Sequence, residues 1–598
     1  MRQPLTRPLT LLRPVRRLLA GMLALLVVLA GCSSPAAPSG DDPSPDASDS
    51  ESAAPTPEPA RPTTDAAPTA TPEPEATSEP EPTPEPPPVP ASRGELVELV
   101  GELLAAAQGE LDEAELAVLV TDEYGREVGA AGADAPVLPA STLKIVTAAS
   151  VLLTLGPEAR LTTRVDATAP IGADGVLDGS LVLVGSGDPT LATPEYGRWI
   201  YPTRPRTPLE ALADQLVETG LRRVTGGVRG TAPGFAGPTE ADGWLPRYFS
   251  NFDARYLTGL TVDAGLATSI RWPELERERA EAEPAPEPTT EDGEDADAAE
   301  PPEPISIPLT GTRDEIEQRL AGLDPPLARV EVVADPRIQA ARELARLLTE
   351  RGVAVAGEVE VTAGGPAAPV AGLAEVESPP MADILRFAVQ RSDNHLTDHL
   401  FHVLARHETG AASFDRAARA VRRLLVDLGI ATDGIHLADG SGLSRDDRVT
   451  ARLLVGVDRA MWNGPHASTW ATLQAVAGES GTLRTRLRGT PADGRFHGKT
   501  GTLNDVTGLT GAVVGDDGSR YHLAVVGNAA QAGDRWVVRA LMDELALVLA
   551  ADVQGCSIAP SPAPSPSAED GEGDPADTAT PSEPELGPLG RPPSVVVC

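Results

Sequence analysis

The 598-residue chain carries a formal net charge of −39, and 41% of its residues are hydrophobic but only 3% aromatic. That length holds two or three domains, and so acidic a chain lacks the basic footprint that nucleic-acid binding requires. Of its 49 basic residues only Lys144 and Lys499 are lysine, which raises the question of what arginine cannot do at those two places.

The N-terminal segment has five arginines followed by an apolar run from Leu18 to Ala30. At roughly 13 residues this run is short for a membrane span and right for a signal sequence. It ends in Leu29-Ala30-Gly31-Cys32, which resembles a bacterial lipobox. The expectation is a signal peptide over 1–31 and lipidation at Cys32, with anchoring by the buried acyl chains. The plainer alternative is a secretory signal with a chance cysteine; on either reading the protein is exported. Residues 32–92 hold a Pro/Glu/Thr linker that cannot bury a core. Similar tracts at 275–304 and 554–598 are expected to be an acidic surface loop and a disordered tail. Cys556 and Cys598 can pair, stay free or link to another chain, and the sequence leaves the choice open.

Folded sequence runs from about Arg93. Residues 93–159 start one domain: "ELAVLVTDEYGREVGAA" predicts two strands turning at Glu123-Tyr124-Gly125, and a helix follows from Ser141. From 160 to 375 short β runs alternate with turns and a few helices, as expected for one or two inserted β-rich domains. Helices resume over 376–553. There "GLTGAVVGDDGSRYHLAVVGNAA" predicts a second hairpin turning at Asp516-Asp517-Gly518, and a long helix closes the folded part. Strands at both ends with helices between give an α+β domain whose antiparallel sheet is built from its two termini.

Chemistry answers the lysine question. A desolvated lysine can lose its proton and act as a base, whereas arginine stays charged. Ser141 and Lys144 are spaced i, i+3 on one helical face, the minimal apparatus of a serine nucleophile activated without histidine. The bland alternative is an N-cap serine with lysine at the helix edge. Ser392-Asp393-Asn394 falls in a loop between two helices, where Ser392 can relay a proton and Asn394 can hold both Lys144 and a substrate amide. Lys499-Thr500-Gly501-Thr502 begins an edge strand. There Gly501 admits a ligand close to the backbone, and Lys499, Thr500 and Thr502 bind a carboxylate. The Ser141 and Thr502 amides would form an oxyanion hole.

Each triplet is weak alone, but their order and element placement form the signature of penicillin-binding proteins and class A β-lactamases. Here the chain resembles the class C low-molecular-mass penicillin-binding proteins, the D-alanyl-D-alanine carboxypeptidase/endopeptidases. The resemblance extends to "GSGDPTL" at Gly185–Leu191, "DGSGLSR" at Asp439–Arg445, and the room of about 250 residues between Ser141 and Ser392. It implies the serine β-lactamase/penicillin-binding-protein-like transpeptidase fold and peptidoglycan stem peptides as substrates. β-Lactams would be covalent inhibitors, and no cofactor is required. Three positions depart from the family pattern. Thr397 and Asp398 stand where the family has Ala and Glu, and Ser186 replaces a glycine. Whether cross-links are cut as well as stems stays open.

Three rivals remain. A β-lactamase or esterase of the same fold needs a deacylation base, and no E-x-x-L-N lies between Ser392 and Lys499. His395, His399 and His402 share one helical face, but without the glutamate of H-E-x-x-H. They are expected to form a partly exposed or core-edge face, with no metal site. A non-hydrolytic wall or sensor lipoprotein would keep the fold without turnover.

Overall fold

The computed structural model describes residues 93–111, 114–197, 203–270, 328–362, 370–529, 531–560, 589 and 594–597. The signal segment, Cys32, the linker and the 275–304 tract lie outside the described residues.

Helix α1 (Arg93–Glu110) leads into strands β1 (Glu115–Asp122) and β2 (Glu127–Ala131), joined at the expected turn. Strand β1 is apolar without interruption from Leu116 to Val120 because it is covered on both faces. Side chains alternate across a strand, so Ala117 and Leu119 enter one core while Val118 and Val120 enter another. After a short 3-10 turn at Ala140–Leu143 the chain forms helix α2 (Lys144–Leu155), nearly all of it buried.

The insertion follows. Strands β3 (Thr162–Ala167) and β4 (Leu181–Val184), helix α3 (Leu209–Glu218), strand β5 (Val228–Thr231), helix α4 (Pro336–Glu350) and strands β6 (Glu360–Val361) and β7 (Val370–Glu377) make a five-stranded mixed sheet. Its order is β6-β5-β4-β3-β7. Leu209, Leu212 and Leu216 of α3 and Leu344, Leu347 and Leu348 of α4 repeat at helical spacing and build a core with Leu181 and Leu183 of β4. In "GSGDPTL" a Cβ at Gly185 would lie 2.2 Å from the Gly259 carbonyl, and one at Gly187 would lie 2.5 Å from Phe235. Both glycines are therefore sterically required. Ser186, between them, is absent from the positive-φ residues, which explains why a side chain is tolerated there.

The chain returns through helices α5 (Met381–Arg391), α6 (Asn394–Thr409), α7 (Phe414–Asp427) and α8 (Ala451–Trp462), then strands β8 (Ala475–Val476), β9 (Phe496–Leu503), β10 (Val506–Val514) and β11 (Arg520–Asn528). The main sheet runs β8-β9-β10-β11-β1-β2, all antiparallel. Its two ends meet at β11 and β1, where Glu115 pairs with Asn528 and Asp122 with Tyr521. Helix α9 (Ala532–Val553) sets Val538, Leu541, Leu545 and Leu549 into the core it shares with α1. The opposite face of the sheet carries α2 and the returning helices. This is the α+β arrangement read from the sequence, with a β-rich insertion.

Two expectations need correction. The segment after α9 is not wholly an unstructured tail: β12 (Ser557–Pro560) pairs antiparallel with β13 (Ser594–Val597), and Leu589 is buried in the α1/α9 core. Ile558 at one end and the run Val595 to Val597 at the other supply strand propensity where the acidic Pro-rich middle hides it. Cys556, just before β12, is disulfide-bonded. The histidine face is also not at a core edge, since His395, His399 and His402 are all buried. His399 Nδ1 meets the His395 carbonyl at 2.9 Å and Nε2 meets the Thr258 carbonyl at 3.1 Å. Burial holds all three rings below the usual histidine range, His399 at about 4 and His402 at about 3, so they are neutral packing groups.

Candidate active site

Ser141 does not cap a regular helix. It lies in the 3-10 turn before α2, directly after Ala140, whose φ of +47° is strained for a residue with a Cβ. The segment is clamped to the end of β11: Leu138 N donates to Asn528 Oδ1 at 2.8 Å, and Asn528 Nδ2 returns a bond to the Leu138 carbonyl at 3.0 Å. Sequence reasoning missed this residue, because a bond spanning 390 positions leaves no local signal.

Lys144 is fully buried and has three partners at hydrogen-bond distance: Ser141 Oγ at 3.0 Å, Asn394 Oδ1 at 2.7 Å and the Ser441 carbonyl at 2.7 Å. Burial lowers its pKa to about 8, against the opposing pull of Asp398, Asp439, Asp393 and Asp447. A lysine with an ordinary pKa near 10.4 is almost wholly charged at neutral pH, and the lowering here brings the free amine within reach.

The Ser441 carbonyl belongs to "DGSGLSR", a loop wound around one buried carboxylate. Asp439 Oδ1 accepts from Ser441 N at 2.9 Å and Gly442 N at 2.6 Å. Its Oδ2 accepts from Ser444 N at 2.7 Å and from Trp244 Nε1 of the insertion at 2.8 Å. Gly442 is required, for a Cβ there would lie 1.8 Å from the Ala140 carbonyl. Asp398, buried at the position where the family has Glu, accepts from Gly440 N at 2.9 Å. Thr397 satisfies its own hydroxyl on the Asp393 carbonyl at 2.7 Å. Both departures are thus accommodated locally.

Ser392 ends α5 in the left-handed region, φ +59°, and its Oγ accepts from Lys499 Nζ at 2.9 Å. Asp393 caps α6 through Leu396 N at 2.9 Å and takes a 2.6 Å ion pair from Arg204 of the insertion, both side chains nearly out of solvent. Burial alone would raise Asp393, yet Arg204 and Arg255 hold it below the usual carboxylate range. Removing one partner of a buried pair leaves an uncompensated charge costing about 3–5 kcal/mol. Arg204→Leu is therefore expected to lower the thermal midpoint at neutral pH. Asp393 is ionised above its depressed pKa, so the deficit should shrink as pH falls and both proteins protonate it. Scanning calorimetry at two pH values measures both effects.

Asn394 Nδ2 donates to the Asp253 carbonyl of the insertion at 3.1 Å, fixing which end of the amide faces Lys144. Lys499 sits midway along β9, not at its start, and donates to the Thr500 carbonyl at 2.6 Å. The first half of β9 is covered by β8, which leaves the Lys499–Leu503 half as the free edge. Burial and then Lys144 push Lys499 well below the lysine range, a state that an incoming anion would reverse. Thr500 Oγ1 donates to Thr482 Oγ1 at 2.8 Å. A Cβ at Gly501 would lie 2.9 Å from the Pro139 carbonyl, so glycine lets β9 pass close to the Ser141 turn. A cleft of about 320 Å³ opens here, with Ser141, Asn394 and Thr502 on its floor and Tyr248, Asp253 and Arg445 in its walls. Among the described residues no group of three or more His, Cys, Asp or Glu is arranged to hold a metal ion.

Comparison with known proteins bears on the family and the fold. The chain is 29% identical over 434 residues to a D-alanyl-D-alanine carboxypeptidase of Actinomadura sp., covering 67% of this chain and 75% of that one. It is 30% identical over 447 residues to a carboxypeptidase of Mycolicibacterium smegmatis, covering 73% and 82%. The fold matches the crystal structure of penicillin binding protein 4 from Haemophilus influenzae with a TM-score of 0.55, at 21% identity, over 75% of this chain and 99% of that one. That Haemophilus protein has also been solved in complex with a β-lactam. Residues 100–550 match the model of the D-Ala-D-Ala carboxypeptidase 3 (S13) family, and the chain belongs to that family.

Proposed function

We propose that the chain is a serine carboxypeptidase that hydrolyses the terminal D-Ala–D-Ala bond of peptidoglycan stem peptides through an acyl-enzyme on Ser141. The observation that carries this reading is the buried Lys144 amine, 3.0 Å from Ser141 Oγ. Neutral Lys144 takes the Ser141 proton as Oγ attacks the penultimate carbonyl. The developing oxyanion points at the Ser141 and Thr502 amides, each donor of this kind being worth about 3–4 kcal/mol. Asn394 orients Lys144 and the substrate amide. The terminal carboxylate binds Thr500, Thr502 and Lys499, so the departing amine lies beside Ser392, which relays the proton to it. D-Alanine leaves, and water then attacks the ester, returns the proton and frees the shortened stem. Penicillin would acylate Ser141 as an analogue of the same dipeptide.

The apolar run ending at Cys32 supports export, with a lipid anchor at Cys32 on the outer face of the cytoplasmic membrane. Purified protein is expected to release free D-alanine from a stem pentapeptide, and penicillin should block that release. Stoichiometric labelling by penicillin with no cleavage of any stem or cross-linked muropeptide would instead make the chain a sensor.

A further inference from the structure

Helix α9 turns its apolar side chains toward the sheet, except one. Trp536, on its second turn, is 64% exposed, the most exposed large apolar side chain among the described residues. Its neighbours Val537 and Val538 are buried, so the indole faces away from the core that the helix was built to cover. Isolated exposed apolar residues need no explanation, but a tryptophan beside arginines at the lip of a cleft does. Trp536, Arg535 and Arg539 line a hollow of about 170 Å³ with Thr502 and Thr507. Thr502 and Arg535 line the catalytic cleft as well, so the two hollows share a wall. Arg535 donates to the Asn504 carbonyl at 2.9 Å, at the point where β9 leaves the site.

We propose that this surface docks the sugar-bearing, N-terminal end of the stem peptide. The inference rests on the proposed carboxypeptidase reading, which fixes the direction of the chain. With the terminal carboxylate at Lys499 and Thr500 and the scissile carbonyl at Thr502, the acyl half must leave toward Leu503 and Asn504. Three further extended residues carry it about 10 Å, comparable with the width of one helix. What arrives there is an anionic peptide joined to an N-acetylated amino sugar. Arginine pairs with the carboxylates of the peptide, and the flat apolar face of an indole suits the C–H face of a pyranose, with its N–H left for water or a hydroxyl. Tryptophan and arginine are also the side chains that most often dominate binding surfaces. In a chain of net charge −39, two arginines on one rim give an anionic ligand a local positive charge.

Titration of mature Ser141→Ala protein with a disaccharide pentapeptide and with the same pentapeptide lacking sugar tests this. The sugar-linked ligand is expected to bind about tenfold tighter, a difference of about 1.4 kcal/mol. Adding Trp536→Ala should erase that preference, and Trp536→Phe should keep part of it. In the active enzyme, Trp536→Ala should leave penicillin acylation and cleavage of the free pentapeptide unchanged. An undiminished sugar preference in Trp536→Ala overturns the proposal. So does loss of self-association in that variant without loss of sugar preference, which would make the face a contact between copies. If the sugar preference is erased while wild type cleaves no stem, docking stands and the hydrolytic reading falls.

Discussion

Lys144→Arg is expected to slow acylation by penicillin about 10²–10⁴-fold, the usual contribution of a general base, while Ser141→Ala abolishes labelling. Arginine keeps the charge and, after small adjustments, can reach Asn394 and the Ser441 carbonyl. It cannot accept the serine proton, because a guanidinium stays charged in any protein site. The pH dependence supplies a second, independent reading of the same residue. Burial places Lys144 at about 8, and only the deprotonated amine is a base. Acylation by the free enzyme should therefore rise with pH through about 8 and then level. In Lys144→Arg that limb should vanish together with the rate. Timed labelling with a fluorescent penicillin across pH measures both effects. Undiminished labelling of Lys144→Arg would sink the assignment.

Asp439→Ala is expected to be the most damaging substitution outside the catalytic set. It leaves four buried donors without an acceptor: the amides of Ser441, Gly442 and Ser444 and the indole N–H of Trp244. Each orphaned donor costs about 1–3 kcal/mol, so the total is at least about 4 kcal/mol. In a protein of this size that corresponds to a fall in Tm of at least about 4 °C. The site should fail as well, because the Ser441 carbonyl that holds Lys144 is carried by the same loop. Asp439→Asn should fall between the two, since its amide nitrogen must face two of the four donors. Thermal unfolding and penicillin labelling report the two losses separately. An unchanged Tm would remove Asp439 from its place as the centre of the loop.

What the sequence discloses and what it hides divide along a physical line. Ser141, Lys144, Ser392, Asn394 and Lys499 are legible because each lies in a short motif whose chemistry is local. The two hairpins are legible because apolar, β-prone runs flank an obvious turn. Arg204, Trp244, Asp439 and Asn528 are not, because their roles come from partners 189, 195 and 390 positions away or, for Asp439, from a loop closing on itself. Ala140 gives no hint of a left-handed φ, a conformation that sequence assigns to glycine and only the surrounding packing can impose. The histidine face misleads for a related reason: a polar stripe on a helix reads as solvent-facing until the insertion supplies the backbone carbonyl of Thr258 that covers it.

The pairing of β1 with β11 sets an order of events for a chain made N-terminus first. The strand that leads to Ser141 emerges early, but its neighbour in the sheet is encoded about 400 residues later, and strand β9 also belongs to that last stretch. Contacts so distant in sequence form slowly, and the unpaired edge of β1 is exposed in the interval. The partners of Lys144 are also encoded far from it, Asn394 lying 250 positions and Ser441 297 positions away. The site is thus completed by the last folded stretch of the chain to be made, and a product truncated before β9 lacks Lys499, Thr500 and Thr502 altogether.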